Sequence, residues 1–133
     1  MPDGPDILTL TKPDDWHLHL RDGAEMASVV AFSARQFARA IVMPNLRPPV
    51  TTAAQAAAYR DRILAALPSG HRFAPLRTLY LPDNLPPNEI AAAGSVYAAK
   101  LYPAGATTNS ELGVTRLARI YPVLEAMQRR DMP

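Results

Sequence analysis

The chain has 133 residues, 48% of them apolar and 20% charged, with a formal net charge of +2 and no cysteine. Those figures describe one globular domain with room for a core, and they exclude disulfides, thiolate metal sites and cysteine nucleophiles. No basic run longer than Arg129–Arg130 invites nucleic acid, "MPDGPDILTL" has no secretory character, and nothing approaches the roughly eighteen apolar residues of a membrane span, so a cytoplasmic protein is expected.

In chain order, "ILTLTKPDDWHLHL" reads as a first extended stretch. "GAEMASVVAFSARQFA" has helical spacing, with Met26, Val29, Val30, Phe32 and Phe37 on an apolar stripe. "RAIVMPN" is a short β-branched run closed by Pro44. "TTAAQAAAYRDRILAAL" is a helix with a threonine cap, ended by Pro68 and Gly70. "FAPLRTLYLP" is strand-like, "PPNEIAAAG" is a short helix ended by Gly94, and "VYAAKLYP" is a further strand. "GATTNSELGVT" is a polar loop, and "RLARIYPVLEAMQRR" is a last helical pattern, kinked or begun at Pro122.

Strands alternating with helices at this spacing mean crossover units on a parallel sheet. A doubly wound sheet usually carries a glycine-rich phosphate loop after its first strand. Here the first strand runs into "HLRDG", and G-x-G-x-x-G occurs nowhere. The better reading is the N-terminal half, about four β/α units, of a (β/α)8 TIM-type barrel. Residues 1–133 then form one partial barrel domain, truncated after the fourth unit.

Two of the three histidines stand one residue apart, in "DWHLHLRD". On a strand alternate side chains share a face, so His17, His19 and Arg21 point one way while Trp16, Leu18 and Leu20 point the other. Alternate residues lie roughly 6.7 Å apart, so two imidazoles can lean onto one ion, whereas on a helix i and i+2 diverge. The alternative, histidines hydrogen-bonded to backbone, stays open. The leucines opposite make the strand look buried on both sides, and burying two imidazoles and a guanidinium without partners is costly; a metal and an anion relieve that cost. His71 is read as surface or loop.

Asn45 ends the second strand and Lys100 sits near the C-terminal end of the fourth, the ends that form active sites in barrels. Lys100 is expected to be buried, although a lysine snorkelling outward fits the same stretch. Of the 14 basic residues only Lys12 and Lys100 are lysine, which points to a need for a primary amine at Lys100. Thr107, Thr108 and Asn109 lie on the polar loop beyond, where ordinary solvation also explains them.

Together, "DDWHLHLRDG", "AIVMPNLRPPVTT", "AYRDRIL" and "AAKLYPAGATTNSELGVT" resemble the N-terminal part of the bacterial-type dihydroorotases, of the shorter, non-multifunctional class in the amidohydrolase superfamily. The resemblance covers essentially the whole chain. It implies a zinc hydrolase that interconverts N-carbamoyl-L-aspartate and L-dihydroorotate in pyrimidine synthesis, with two Zn2+ per site. Carried over by motif, His17 and His19 bind the more buried zinc, and Lys100 is N-carboxylated and bridges both metals. Arg21 and Asn45 hold the substrate carboxylate, and Thr107 and Thr108 sit on a mobile loop that closes over substrate. Gly105 stands where the family often has a polar residue.

The family's later histidine ligands and its proton-moving aspartate have no counterpart here, so no catalytic base is assigned to this chain. It is expected to be inactive alone, to need the C-terminal half of the barrel, and to form a homodimer when complete; neither nucleic acid nor a membrane is an expected partner. Two other readings remain open: another cyclic amidohydrolase of the hydantoinase or allantoinase kind, and a non-catalytic fragment or assembly subunit.

Overall fold

The computed structural model describes residues 7–133, so the first six residues of the expected domain lie outside the described residues. Strand and helix alternate: β1 (Asp15–Leu18), α1 (Gly23–Gln36), β2 (Arg39–Val42), α2 (Ala53–Ala66), β3 (Ala74–Leu81), α3 (Pro87–Ala91) and β4 (Val96–Leu101). A 3-10 turn over Leu117–Ile120 then leads into α4 (Tyr121–Gln128). The last helix begins at Pro122's turn, where the missing N–H costs nothing. Thr52 caps α2 in a full capping box with Gln55, the oxygen of one side chain taking the other's backbone N–H.

All neighbouring strands are parallel, in the order β1-β2-β3-β4. That order decides between the two architectures. A doubly wound sheet reverses direction at a switch point and leaves its first strand central. Here β1 stays at an edge and the chain winds one way, as the first units of a (β/α)8 barrel do.

The helices cover one face of the sheet. Their shared core includes Leu20, Val30, Val42, Ile63, Leu79, Leu81, Ile90 and Ile120, each nearly inaccessible to water. Side chains alternate along β3, so Thr78 and Tyr80 lie on the opposite face, where Tyr80 neighbours Lys100 of β4.

Several expectations are corrected at the edge of the sheet. The first extended stretch is a strand only from Asp15; residues 7–14 make no regular ladder, and Pro13 O accepts a single bond from Ala38 N. On α1 the buried residues are Met26, Val30 and Ala34, while Val29 and Phe32 are exposed. α1 packs chiefly beside α2, which narrows its stripe. β1 is not buried on both faces either: Trp16 is exposed where β1 is the edge strand, and His17 and His19 are exposed on the open face opposite the helices. Lys100 is half-buried for the same reason. Among the described residues no helix is long and apolar enough to cross a membrane.

Candidate metal centre

The site starts where β1 ends. His17 N donates to its own strand's Asp15 Oδ1 at 2.9 Å, which fixes the approach to the histidine pair. The two imidazoles then tilt together, with ring centroids 5.2 Å apart and Nε2 facing Nε2 at 3.2 Å. Two nitrogens each about 2.0–2.1 Å from one tetrahedral ion stand about that far apart, so the pair fits a shared cation. Burial first, then the positive charges of Arg21 and the neighbouring His17, hold His19 below the ordinary histidine range. Its neutral form is the one that binds metals.

Arg21 adopts φ 60°, a left-handed turn between strand and helix. Two residues one turn apart on α2 secure it. Tyr59 donates its hydroxyl to Arg21 O at 2.5 Å, and Arg62 grips both carboxylate oxygens of Asp22 at 3.0 and 2.7 Å. Asp22 also caps α1 by accepting from Gly23 N at 2.9 Å. The turn that aims Arg21 is therefore tied to two helices.

Asn45, 2% exposed, closes the β2 end. Its Nδ2 donates to Thr108 O at 2.9 Å, and Asn109 Nδ2 donates to Asn45 O at 3.0 Å. These bonds dock the loop after β4 onto β2. Inside the loop, the fully buried Ser110 donates from Oγ to Thr107 O and accepts from Thr107 N, which shapes the turn bearing Thr107 and Thr108.

His17, His19, Arg21, Asn45, Lys100, Thr107 and Thr108 all line one cavity of about 360 Å³. Among the described residues no acidic side chain lines it, so their charge favours an anion. His71 lies elsewhere, in the loop before β3, lining a different cavity with Lys12. Among the described residues no three His, Cys, Asp or Glu side chains gather as a metal site; the imidazole pair and Lys100 are a partial donor set.

Sequence reasoning passed over four participants. Tyr59 and Arg62 gave no local signal, because their partners are about forty positions away. Asn109 was noted only as a loop residue. Tyr102 could have been found: two positions after Lys100, it shares that residue's face, and it lines the cavity.

No protein-family model matches the chain. It is 70% identical over 129 residues to a dihydroorotase of Cupriavidus taiwanensis and 68% identical over 128 residues to one of Leptothrix cholodnii. Each alignment covers 95% of this chain but only 38% and 37% of the relative. The chain thus spans little more than a third of the length of the curated relatives it matches. Among solved structures, a dihydroorotase from Campylobacter jejuni superposes with a TM-score of 0.84 at 39% identity, covering 92% of this chain and 36% of that one. A dihydroorotase from Saccharomyces cerevisiae, in complex with 5-fluoroorotic acid, gives 0.80 at 32% identity, covering 90% and 34%.

Proposed function

We propose that this chain, whose sequence and fold match the N-terminal part of dihydroorotases, carries the first half of a dihydroorotase-type metal site. The reaction is the interconversion of N-carbamoyl-L-aspartate and L-dihydroorotate. The observation that carries the reading is the convergence of His17 and His19 Nε2 at 3.2 Å in a cavity that Lys100 and Arg21 also line.

His17 and His19 would hold zinc through Nε2, with Lys100 beside them. The chemistry such a metal supplies when bound is Lewis acidity toward a ring carbonyl and a nucleophile near neutral pH. Lys100 is read as the site of carboxylation: its neutral amine adds to CO2, an N–C bond forms as a C=O pair moves to oxygen, and the nitrogen loses a proton to water. The product is an anion with two oxygens, suited to bridging two dications. Arg21 presents a planar fork for the substrate carboxylate. Asn45 has a second Nδ2 hydrogen for the same group, and Thr107 and Thr108 face the cavity from the loop. The proton-moving group and the remaining metal ligands belong to the rest of the barrel, and the whole of residues 1–133 is one part of that domain.

Complementation tests this reading. The chain is mixed with the C-terminal portion of the Cupriavidus taiwanensis relative in the presence of Zn2+ and bicarbonate. Ring opening of L-dihydroorotate in preference to hydantoin is the expected outcome, with an intact-mass increment of one CO2 that a Lys100→Arg variant lacks. Absence of both zinc uptake and turnover in a mixture shown to associate would discard it.

A further inference from the structure

We infer that Ser110 is a positioning residue for ligand binding: its buried hydroxyl fixes the peptide groups of Thr107 and so holds Thr107 and Thr108 at the cavity. The inference rests on the dihydroorotase-type reading, in which those two threonines meet the ligand, and adds what sets them there.

The loop after β4 divides into a wall and an anchor. Thr107 and Thr108 are exposed and line the cavity with Arg21, Asn45 and Lys100. Ser110, three residues after Thr107, is completely buried. Asn109 takes φ 56°, a left-handed conformation that turns the chain, and Ser110 comes back against Thr107. There its hydroxyl spends both of its capacities on one residue. Ser110 Oγ donates to Thr107 O at 2.6 Å and accepts from Thr107 N at 2.9 Å. A hydroxyl can donate and accept at once, and alanine in the same place does neither. The anchor is itself gripped from both sides, since Ser110 O accepts from Gly105 N at 3.0 Å and from Gly113 N at 2.9 Å.

These bonds all fall on the backbone of the wall. Ser110 holds the N–H and the C=O of Thr107, and Asn45 Nδ2 holds the C=O of Thr108. The threonine side chains stay at the cavity. A loop of exposed residues whose peptide groups were only solvated would spread over many conformations, and a ligand's apparent affinity falls with the fraction that is competent to bind. Two bonds from a buried partner raise that fraction before the ligand arrives, which is preorganisation. Ser110 therefore acts on the ligand through Thr107 and Thr108 and touches nothing in the cavity itself.

A double-mutant cycle on the 133-residue chain tests this, with Zn2+ present and L-dihydroorotate titrated calorimetrically. Ser110→Ala is made in the unmodified chain and in a Thr107→Val, Thr108→Val background. The valines keep the β-branched shape, lose both hydroxyls and leave Arg21 and Asn45 to hold the ligand. Ser110→Ala is expected to weaken binding about tenfold in the unmodified chain, the effect of two lost hydrogen bonds. In the valine background it should change affinity less than about twofold, because the groups it positions are gone. Amide exchange at Thr107 should quicken in both backgrounds. Ser110→Cys keeps a side chain of similar size with a weak donor; it serves where the alanine variant fails to fold, and the same coupling is expected. Unchanged affinity in the Ser110 variants overturns the inference alone. So does an equal loss in both backgrounds, which gives the serine a structural role that does not pass through the threonines. No binding of L-dihydroorotate by the unmodified chain overturns the inference together with the reading beneath it.

Discussion

Asn45 and Asn109 hold one another's segments reciprocally: Asn109 Nδ2 donates to Asn45 O at 3.0 Å, and Asn45 Nδ2 donates to Thr108 O at 2.9 Å. The clasp joins the end of β2 to the loop that presents Thr107 and Thr108. Asn109 also sits at φ 56°, where Asn and Asp are tolerated better than most residues. Asn109→Asp keeps that tolerance and loses the donor. Both Asn109→Asp and Asn109→Ala should speed amide exchange at Gly105 and Thr107 about fivefold, the effect of one lost hydrogen bond. Exchange as slow in Asn109→Asp as in the unmodified chain would show that backbone preference, not the clasp, holds the loop.

Tyr59 and Arg62 act on the Arg21–Asp22 turn from one side of α2. Removing the Tyr59 hydroxyl leaves a part-buried Arg21 carbonyl without its donor. Tyr59→Phe is expected to cost about 1–2 kcal/mol in urea unfolding. Because the same turn aims Arg21 into the cavity, affinity for a carboxylate ligand should fall as well. Loss of stability with unchanged carboxylate affinity would separate the turn from the site.

How far the sequence could be read follows from the range of the interactions involved. The strand–helix alternation and the caps at Thr52 and Pro122 depend on neighbours a few positions away, and they were legible. The H-x-H pair was legible for the same reason, since strand periodicity alone puts His17 and His19 on one face. Exposure of Val29, Phe32 and His17 was not legible. Their patterns describe a strand and a helix covered on every side, whereas β1 and α1 stand at an edge of the described sheet. The clamp of Tyr59 and Arg62 on Arg21 and Asp22, and the Asn45–Asn109 clasp, join residues about forty to sixty positions apart. No local period encodes such pairs. The role proposed for Lys100 rests on family resemblance rather than on its half-buried position.

Acid sensitivity should pass partly through Asp22. The Arg62 guanidinium, ahead of the Gly23 N–H that Asp22 caps, holds its carboxyl below the usual aspartate range against the opposing effect of burial. A carboxyl lowered in the folded state contributes stability that is fully present above the unfolded value, about 3.9. That contribution is lost as pH falls through the folded value. Urea midpoints should therefore hold from pH 7 to about 5 and drop below pH 4. Asp22→Asn should be less stable at neutral pH and should show a shallower drop in acid. An equally steep drop in Asp22→Asn would place the sensitivity at the Asp14–Arg39 or Asp83–Arg119 pair, whose carboxyls are lowered in the same direction.

Gly113 is where the loop passes closest to β4's continuation. A Cβ there would stand 2.3 Å from Tyr102 O and 3.0 Å from Ser110 O, both backbone atoms that cannot swing aside. Val114 N bonds that same Tyr102 carbonyl, so any shift of the loop breaks the bond. Gly113→Ala is expected to destabilise by about 1–3 kcal/mol and to open the segment 103–114 to limited proteolysis. Gly105, at φ 72° with open space around it, is the control: Gly105→Ala strains only its own backbone and should leave the Tyr102–Val114 bond protected in exchange. Equal loosening by both variants would show that loop flexibility, not the close approach to Tyr102, is what Gly113 serves.

Zinc uptake tests the histidine pair apart from any turnover. If His17 and His19 share one cation through nitrogens 3.2 Å apart, removing either ligand removes the chelate, so His17→Ala and His19→Ala should weaken zinc binding about tenfold or more, and to similar degrees. The double variant should then add little to either single one, because the two nitrogens act as a unit. His71→Ala, in the loop before β3 and lining a different cavity, should leave affinity unchanged. Calorimetric titration of the four variants with Zn2+ decides it. Additive losses from His17 and His19 would mean two independent weak sites, and an effect of His71 as large as theirs would mean that zinc binds to surface imidazoles, with no centre in the cavity.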